Sequence, residues 1–200
     1  MSEALARRVE RRTRQRATNR AAILEAARRV AAKEGAGNLS LRAVAAEAGY
    51  APASVYEYFQ NRAELVLALA SEELAQIARE LREKRQGSGS VECAGAIVVR
   101  ALRGSGALPA AMAALSGGVA GSEAERLFNG KLIAALTAFA EAAGLAPVTD
   151  RRRQAGVVLA ASCLVGLSLL GRAGRLAALS QDEQTLLAEL SSFFSGGKFG

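Results

Sequence analysis

The side chains that could do chemistry in this sequence are few, and the missing ones exclude whole classes of mechanism. The chain has 200 residues with no His, no Trp and two Cys, and 50% of it is hydrophobic. Without His, the Ser-His-Asp and Cys-His mechanisms, His-ligated metals and a histidine pH switch are excluded. Two Cys are too few for an all-cysteine zinc site. No paired acidic motif stands out, so we expect no enzyme, no metal and no cofactor.

Basic side chains supply the chemistry that remains. The chain carries 26 Lys+Arg against 19 Asp+Glu, for a formal charge of +7, and residues 1–33 alone account for all of that excess. The basic run comprises Arg7, Arg8, Arg11, Arg12, Arg14, Arg16 and Arg20. It indicates a segment that binds nucleic acid. A solvated terminus and an Arg-rich transit peptide are the alternatives, whereas a secretory signal is excluded because no apolar core follows.

Helices must position these side chains. Pro occurs only three times, good helix formers dominate, and no period-two alternation lasts for a strand's length, so the predicted fold class is all-α. The apolar face of Ile23, Ala27, Val30 and Ala31 predicts a first helix over about 14–34.

The next two helices are short. Ser40 can N-cap a helix over 41–48, and Gly49 ends it. A third helix begins at Pro52 and reaches about Phe59. A capped helix, a glycine turn and a second short helix form a helix-turn-helix. In that motif the second helix enters the major groove of DNA and its first residues face base edges.

A longer helical part follows. Asn61 and Glu64 form a capping box that starts a fourth helix, which runs to about Lys84 and links the two parts. Five more helices are predicted over about 90–103, 107–117, 122–143, 149–173 and 181–195, separated by glycine-containing breaks such as 174–180. The apolar stretch Ala155–Gly171 is barely long enough to span a membrane, and a buried core helix fits it better, so no membrane is expected as a partner.

Residues 16–69 resemble the DNA-binding domain of the TetR (tetracycline repressor) family of bacterial transcription regulators. The resemblance rests on Ile23-Leu24, Ala27, Gly35, Ser40, Val44-Ala45-Ala46-Glu47-Ala48-Gly49 and Ser54-Val55-Tyr56-Glu57-Tyr58-Phe59-Gln60-Asn61-Arg62-Ala63-Glu64-Leu65. Tyr50-Ala51 departs from the family's Val-Ser, so Ala51 gives the third helix no side-chain cap. Glu57 replaces an uncharged residue and is expected to point away from DNA or to read a cytosine amino group.

The resemblance implies a set of DNA contacts. Pro52, Ala53 and Ser54 would face base edges, Tyr56 and Arg62 would bind phosphate, and Tyr58 would lie near the backbone. Ser40 and Arg42 would contact DNA from the second helix, and Arg12, Arg14, Arg16 and Arg20 would clamp the backbone or enter the minor groove. A packed tyrosine at Tyr56 and a solvated charge at Arg42 are the alternative interpretations.

The resemblance also implies an all-helical domain for effector binding and dimerisation over residues 66–200, after a DNA-binding domain over residues 1–65. Candidate effector-binding residues are Val98, Leu102, Met112, Leu115, Phe128, Leu132, Leu136 and Phe139, with ordinary core packing as the alternative. Candidate dimer contacts are Leu159, Cys163, Leu167, Leu170, Leu186, Leu187, Leu190 and Phe194, on two helices that would pair into a four-helix bundle. Cys93 and Cys163 are interpreted as small buried hydrophobes, with a redox-sensing pair as the alternative.

Together these features predict a cytoplasmic, homodimeric repressor that a small, mostly apolar effector releases from a palindromic operator. The alternatives are an architectural protein that binds DNA without sequence preference, a redox-responsive regulator using Cys93 and Cys163, an enzyme with a helical body, and a membrane-associated regulator.

Overall fold

The chain is built from helices, which confirms the predicted fold class. The computed structural model describes residues 3–84, 89–104, 106–116, 121–145 and 150–195, and it contains no strand within these ranges. The helices are α1 (Glu3–Glu34), α2 (Leu41–Ala48), α3 (Pro52–Tyr56), α4 (Arg62–Glu83), α5 (Val91–Arg103), α6 (Ala107–Ser116), α7 (Glu123–Ala142), α8 (Arg151–Arg172), α9 (Arg175–Ala178) and α10 (Glu183–Ser195), with a 3₁₀ turn η1 (Ala36–Asn38) after α1.

The first helix is longer than predicted. It begins at Glu3 instead of about residue 14, so the basic run is part of α1. Neither Gly nor Pro interrupts it, and Ala, Arg and Glu all favour helix. An ion pair between Arg7 and Glu3 (Nη2–Oε1, 2.6 Å) supports its first turn.

The caps of α2 are those predicted. The Oγ of Ser40 accepts the Ala43 N–H at 3.1 Å. Gly49 ends the helix at φ 71°, a left-handed conformation that costs glycine little, and the Tyr50 N–H returns to the Ala45 carbonyl at 2.9 Å. The turn before α3 is therefore fixed by local hydrogen bonds.

The third helix, α3, is shorter than predicted and ends at Tyr56 instead of near Phe59. The Val55 carbonyl accepts the N–H groups of both Tyr58 and Phe59 at 3.0 Å, which closes the helix in a tight turn. Ala51 makes no side-chain cap, as expected. Core side chains from α1 to α4 hold this unit together: Ile23, Leu24, Ala27, Val44, Val55, Phe59 and Leu65 are all buried.

The fourth helix joins the two parts of the molecule, packing on α1 and also on α5, α6 and α7. Its N-cap is Asn61, whose Oδ1 accepts the Glu64 N–H at 2.9 Å. The carboxylate of Glu64 accepts the Gln60 N–H at 2.9 Å, so the box closes one residue earlier than in the standard pattern. One continuous buried core surrounds α4.

The remaining helices lie close to their predicted positions. Ser90, Ser122 and Asp150 cap α5, α7 and α8 through their side-chain oxygens. The predicted break over residues 174–180 instead contains the one-turn helix α9, whose Leu176 is buried. The predicted ends at residues 117 and 149 fall outside the described residues.

The helix α8 is apolar enough to need explanation. It is the one helix in the described ranges with the length and hydropathy (mean 1.8) of a membrane span, and 33% of its apolar window is buried. It packs against α5, α7, α9 and α10. We therefore describe α8 as a core helix with one exposed apolar face.

Candidate nucleic-acid interface and effector cavity

The exposed surface of α3 is the part suited to reading DNA. Pro52 and Ala53 are exposed and Ser54 is half-buried, while Val55 is fully buried and anchors the helix. The Tyr56 side chain is 49% exposed. The first turn therefore offers a methyl group, a hydroxyl and a phenol to a partner, on a helix whose inner face is fixed.

Two residues of α2 lie beside this surface. The Ser40 oxygen is occupied as the N-cap acceptor, but its hydroxyl hydrogen remains able to donate. Arg42 is exposed and has no hydrogen bond or ion pair to any described residue. Its five N–H donors are available to a phosphate or a base edge.

Three side chains expected to contact DNA instead join α1 to the end of α3. The Tyr58 hydroxyl accepts the Asn19 amide N–H at 3.1 Å. The Arg16 guanidinium lies 5.8 Å from the centre of the Tyr58 ring and donates to the Glu57 carbonyl at 3.3 Å. Arg20 lies 5.0 Å from the centre of the Phe59 ring. These contacts set the angle between α1 and the reading unit, the name used below for α2, α3 and the turn between them.

Arg62 requires a correction. It was expected to bind phosphate at the start of α4, but its guanidinium donates to three carbonyls of the loop before α2. The Nε donates to Leu39 at 2.9 Å, and the Nη2 to Ala36 at 3.1 Å and Gly37 at 2.7 Å. The planar donor fork suits this role because η1 leaves its carbonyls without helical partners.

Ion pairs fasten α1 to its neighbours. Glu47 of α2 accepts from Arg29 (2.6 Å) and Lys33 (3.0 Å), and these two cations hold the pKa of that carboxyl below its ordinary value. Arg28 pairs with Glu72 of α4 at 2.7 Å. Ion pairs thus hold α1 to both α2 and α4.

Comparison with known proteins identifies this unit. Residues 23–69 match the family described as "Bacterial regulatory proteins, tetR family". This match covers 47 residues, about a quarter of the chain, so residues 23–69 are similar to that family. The family and the curated relative described below are transcription regulators and not enzymes.

A curated relative agrees with this similarity. An uncharacterized HTH-type transcriptional regulator of Haemophilus influenzae is 40% identical over 77 residues, which are 37% of this chain and 38% of that protein. The match therefore spans less than half of that relative.

Solved structures extend the likeness to the whole fold. The regulatory protein SCO4313 superposes with a TM-score of 0.67 at 20% identity, covering 92% of this chain and 98% of that one. The transcriptional regulator FadR from Bacillus subtilis, solved in complex with stearoyl-CoA, gives 0.54 at 18% identity over 86% and 95%. At these identities the likeness concerns the fold alone.

A small apolar cavity lies among α4, α5, α6, α7 and α8. Its volume is about 60 Å³, and no polar surface lines it. Five predicted effector residues line it, namely Val98, Leu102, Leu132, Leu136 and Phe139. The predictions did not include the rest of the wall, which is Leu74, Ile77, Leu108, Ala135, Ala161, Leu164 and Val165 from α4, α6, α7 and α8.

Three predicted effector residues do not line this cavity. Met112 is half exposed, Leu115 is half-buried, and Phe128 is fully buried in the core. Spacing along one helix could not separate cavity-lining side chains from core ones, because the distinction depends on the neighbouring helices.

Two wider clefts differ in character. One of about 680 Å³ lies between α1, α4 and α7, and Arg16, Glu57 and Lys131 contribute to its lining. The other, of about 770 Å³, is lined by residues that include Arg28 and Glu80. Both carry mixed charges, whereas the smaller cavity has an entirely apolar lining, so that cavity suits an apolar ligand better. Glu57 lies in the first cleft, consistent with a carboxylate that avoids DNA.

A largely buried carboxyl, that of Glu73, lines the second of these clefts. Glu73 of α4 accepts the N–H of Leu108 in the first turn of α6, while its Oε1 is buried without a partner. Burial raises the pKa of Glu73 to about 7, although the charges of Arg28 and Arg172 oppose the shift. Sequence reasoning missed this residue, because in the sequence it is one acid among several on α4.

The predicted dimer residues divide into two groups. Leu167, Leu187 and Phe194 are buried within this chain's own core, which corrects their assignment to an interface. Leu159 and Leu170 are 46% and 41% exposed, Cys163 is exposed, and Leu186 and Leu190 are half-buried. Leu159, Cys163 and Leu170, at spacings of four and seven, share one face of α8 with Val158 and Leu169.

The two thiols are also placed differently from expectation. Cys93 and Cys163 are free and exposed, on α5 and α8, so the interpretation as buried hydrophobes was wrong. No group of three or more metal-ligating side chains occurs in the part of the chain that the structure describes.

Proposed function

We propose that this chain is a homodimeric transcription regulator that reads a palindromic DNA site with α3 and responds to an apolar effector. The observation that carries the proposal is the tetR-family match over residues 23–69, together with the exposed first turn of α3 on a rigidly anchored unit. Such a regulator works on cytoplasmic DNA.

The DNA contacts divide by role. Pro52, Ala53 and Ser54 face base edges, where the Ala53 methyl suits a thymine methyl and Ser54 donates or accepts. Tyr56 and Arg42 bind phosphates, which fix the position of the protein without reading sequence. Three other residues do not bind DNA themselves but hold α1 against the reading unit, namely Arg16, Arg20 and Tyr58. Arg62 shapes the loop that presents α2.

The dimer forms through the exposed apolar face of α8. Val158, Leu159, Leu169 and Leu170 are each more than 40% exposed in the single chain. Ser162 and Gly166 between them are small enough to let a second copy approach closely. Twofold pairing would place two α3 helices about one helical turn of DNA apart, which requires a palindromic site.

The effector occupies the apolar cavity. The all-apolar lining indicates a hydrocarbon group rather than a charged one, and a saturated acyl chain is the first class to test, since a FadR with this fold was solved with stearoyl-CoA. At about 60 Å³ the cavity must widen to admit such a chain. Widening moves α4, whose Leu74 and Ile77 form part of the wall and which leads directly to the reading unit.

The DNA proposal is tested by selecting binding sites from random duplexes with the full chain. We expect a palindromic sequence with half-sites about ten base pairs apart, bound at least 1,000-fold more tightly than random duplex. Ala53→Asp should abolish that preference, while Ala134→Asp on α7 serves as a control away from the reading unit. Equal affinity for selected and random duplex would indicate an architectural protein instead.

The effector proposal has a separate test. Palmitate and decane are titrated against the protein with and without the selected duplex. Because linkage is reciprocal, an effector that weakens duplex binding tenfold must itself bind tenfold more weakly when the duplex is present. Binding that the duplex leaves unchanged would refute regulation by this cavity. A reporter gene carrying the site then distinguishes repression from activation.

A further inference from the structure

We propose that the helical arm, defined as residues 3–16 of α1, is a second DNA-binding surface that contacts backbone phosphates flanking the site read by α3. The inference rests on the proposed function, because it adds contacts to DNA already held by the reading unit. It concerns residues outside the segment that matches the tetR family, which begins at residue 23.

Apart from Arg16 at its C-terminal end, the arm makes no described contact with the rest of the fold. Every side chain from Leu5 to Thr18 is exposed. Only Arg16 forms a hydrogen bond from the arm to another described helix or loop. Its helical form therefore depends on helix propensity and on its continuity with the packed part of α1.

The charge of the arm identifies the chemistry of that partner. Six Arg and two Glu give a net charge of +4 over 14 residues. Arg7 pairs with Glu3, but no described residue forms an ion pair or hydrogen bond with the side chains of Arg8, Arg11, Arg12 and Arg14. Arg7, Arg11 and Arg14 share one helix face, and Arg8 and Arg12 lie on the adjoining one. A row of cations without acidic partners suits a polyanion such as DNA.

The same residues argue against a lipid surface. Leu5 and Val9 are the only large apolar side chains of the arm. An amphipathic helix at a membrane interface needs a continuous apolar face, which two side chains cannot supply.

The C-terminal end of the arm, called its root below, lies beside α3. The Arg16 guanidinium donates to the Glu57 carbonyl at 3.3 Å, and Asn19 donates to the Tyr58 hydroxyl at 3.1 Å. The five residues of α3 span only about 8 Å, so this root is close to the surface that faces DNA. From there the arm extends about 20 Å, which is the length of about six base pairs.

The helical form of the arm decides which part of DNA it can reach. An α-helix with its side chains is about 10–12 Å across, whereas the minor groove of B-DNA is about 6 Å wide. The arm therefore follows phosphates and does not enter the minor groove. Its contacts raise affinity and salt dependence without reading sequence.

The first experiment compares the full chain with the quadruple variant R8Q/R11Q/R12Q/R14Q on the selected duplex, with flanks of either 2 or 12 base pairs. The wild type should bind the long duplex at least tenfold more tightly, and the variant should bind both equally. The slope of log K against log salt should fall by about 0.9 for each phosphate that the variant no longer neutralises. The matched control R79Q/R82Q/R151Q/R175Q removes the same charge elsewhere and should behave as wild type.

The second experiment tests the helix itself. Thr13→Pro breaks the arm in its interior, while Thr13→Ala keeps the helix and removes the γ-methyl group and the hydroxyl that donates to the Val9 carbonyl. Thr13→Pro should weaken binding to the long duplex as much as the quadruple variant does, and Thr13→Ala should retain wild-type binding. Wild-type binding by Thr13→Pro would mean that the segment binds as an extended chain, which would overturn the helical arm.

Other outcomes overturn the proposal directly. An unchanged salt slope and no effect of flank length would show that the arm does not touch DNA, while sequence-selective binding would still support the proposed function. Failure to select any duplex would refute the proposed function itself. Arm-dependent binding to vesicles of phosphatidylserine and phosphatidylcholine, without a flank effect on DNA, would reassign the arm to a lipid surface.

Discussion

The Nε of Arg62 donates to the carbonyl of Leu39 at 2.9 Å, which ties the first residue of α4 to the residue just before the N-cap of α2. Two further bonds from the same guanidinium hold the 3₁₀ turn between α1 and α2. The linker helix and the helix-turn-helix are thereby fixed to each other by one side chain.

Arg62→Ala should therefore act on stability and not on DNA charge. Loss of these charge-assisted bonds should cost about 2 kcal/mol, which lowers Tm by about 4–8 °C in a chain of this size. Arg62→Lys should recover little, because one ammonium cannot span the three carbonyls. The salt slope of operator binding should not change. A slope lowered by about 1 at unchanged Tm would instead show a phosphate contact.

Tyr56→Phe tests the phosphate contact proposed for α3. Removing the hydroxyl deletes one hydrogen bond and should weaken operator binding about three- to tenfold, without altering sequence preference or Tm. Tyr50→Phe is the matched control, since Tyr50 is partly buried against the core. Equal effects of the two variants would contradict a specific role for Tyr56.

Glu73→Gln tests the buried carboxyl between α4 and α6. The folded state raises the pKa of Glu73 from 4.5 to about 7, so the folded state favours the protonated form. That preference stabilises the protein below pH 4.5 and is lost as pH rises to 7. Gln keeps the acceptor for the Leu108 N–H and stays neutral, so the variant should be more stable at pH 8, by up to about 3 kcal/mol. The dependence of Tm on pH between 4.5 and 8 should be flatter than that of the wild type.

Glu80→Gln supplies a control of opposite sign on the same helix. Hydrogen bonds from Gln76 and Arg100 lower the pKa of Glu80. Its ionised form is therefore the favoured one, and the variant should gain no stability at high pH. If both variants gained stability, the loss of a negative charge, and not burial, would be the cause.

Leu159→Arg and Leu170→Glu test the exposed face of α8. Placing a charge in an apolar interface leaves it without water or a partner, so each variant should weaken dimerisation at least 100-fold and be monomeric by sedimentation at micromolar concentration. Ile133→Glu, at an exposed apolar position on α7, should remain dimeric. A dimer that survives both α8 changes would place the interface elsewhere.

The sequence predicted what local chemistry determines. The structure confirms the caps Ser40, Gly49 and Asn61, which follow from a few neighbouring residues. It also contains the two short helices predicted between them, although α3 ends earlier than predicted. The residues that resemble the tetR family also lie close together in the sequence, and they indicated the reading unit. The extent of α1 was underestimated, since a solvated basic segment has helix propensity but no apolar face to reveal it.

The features that sequence reasoning missed depend on helices that are far apart along the chain. Arg62 was interpreted from its position at a helix N-terminus, but its partners lie 23 to 26 residues earlier. Glu73 gains its raised pKa from burial, which α6 supplies by packing on α4. Leu187 and Phe194 were placed on a partner surface, because periodicity identifies an apolar stripe but not which neighbour covers it.

The small volume of the apolar cavity has a kinetic consequence for the proposed effector. A void of about 60 Å³ admits no acyl chain, so binding must wait for a wider conformation that the free protein visits only part of the time. The observed affinity is then the intrinsic one reduced by the fraction of open molecules, and the binding rate reaches a plateau set by opening as ligand concentration rises. Substitutions that loosen the cavity wall, such as Leu136→Ala, would raise both the rate and the observed affinity of effector binding. The timing of any regulation by this protein would thus be set by the packing of its hydrophobic core.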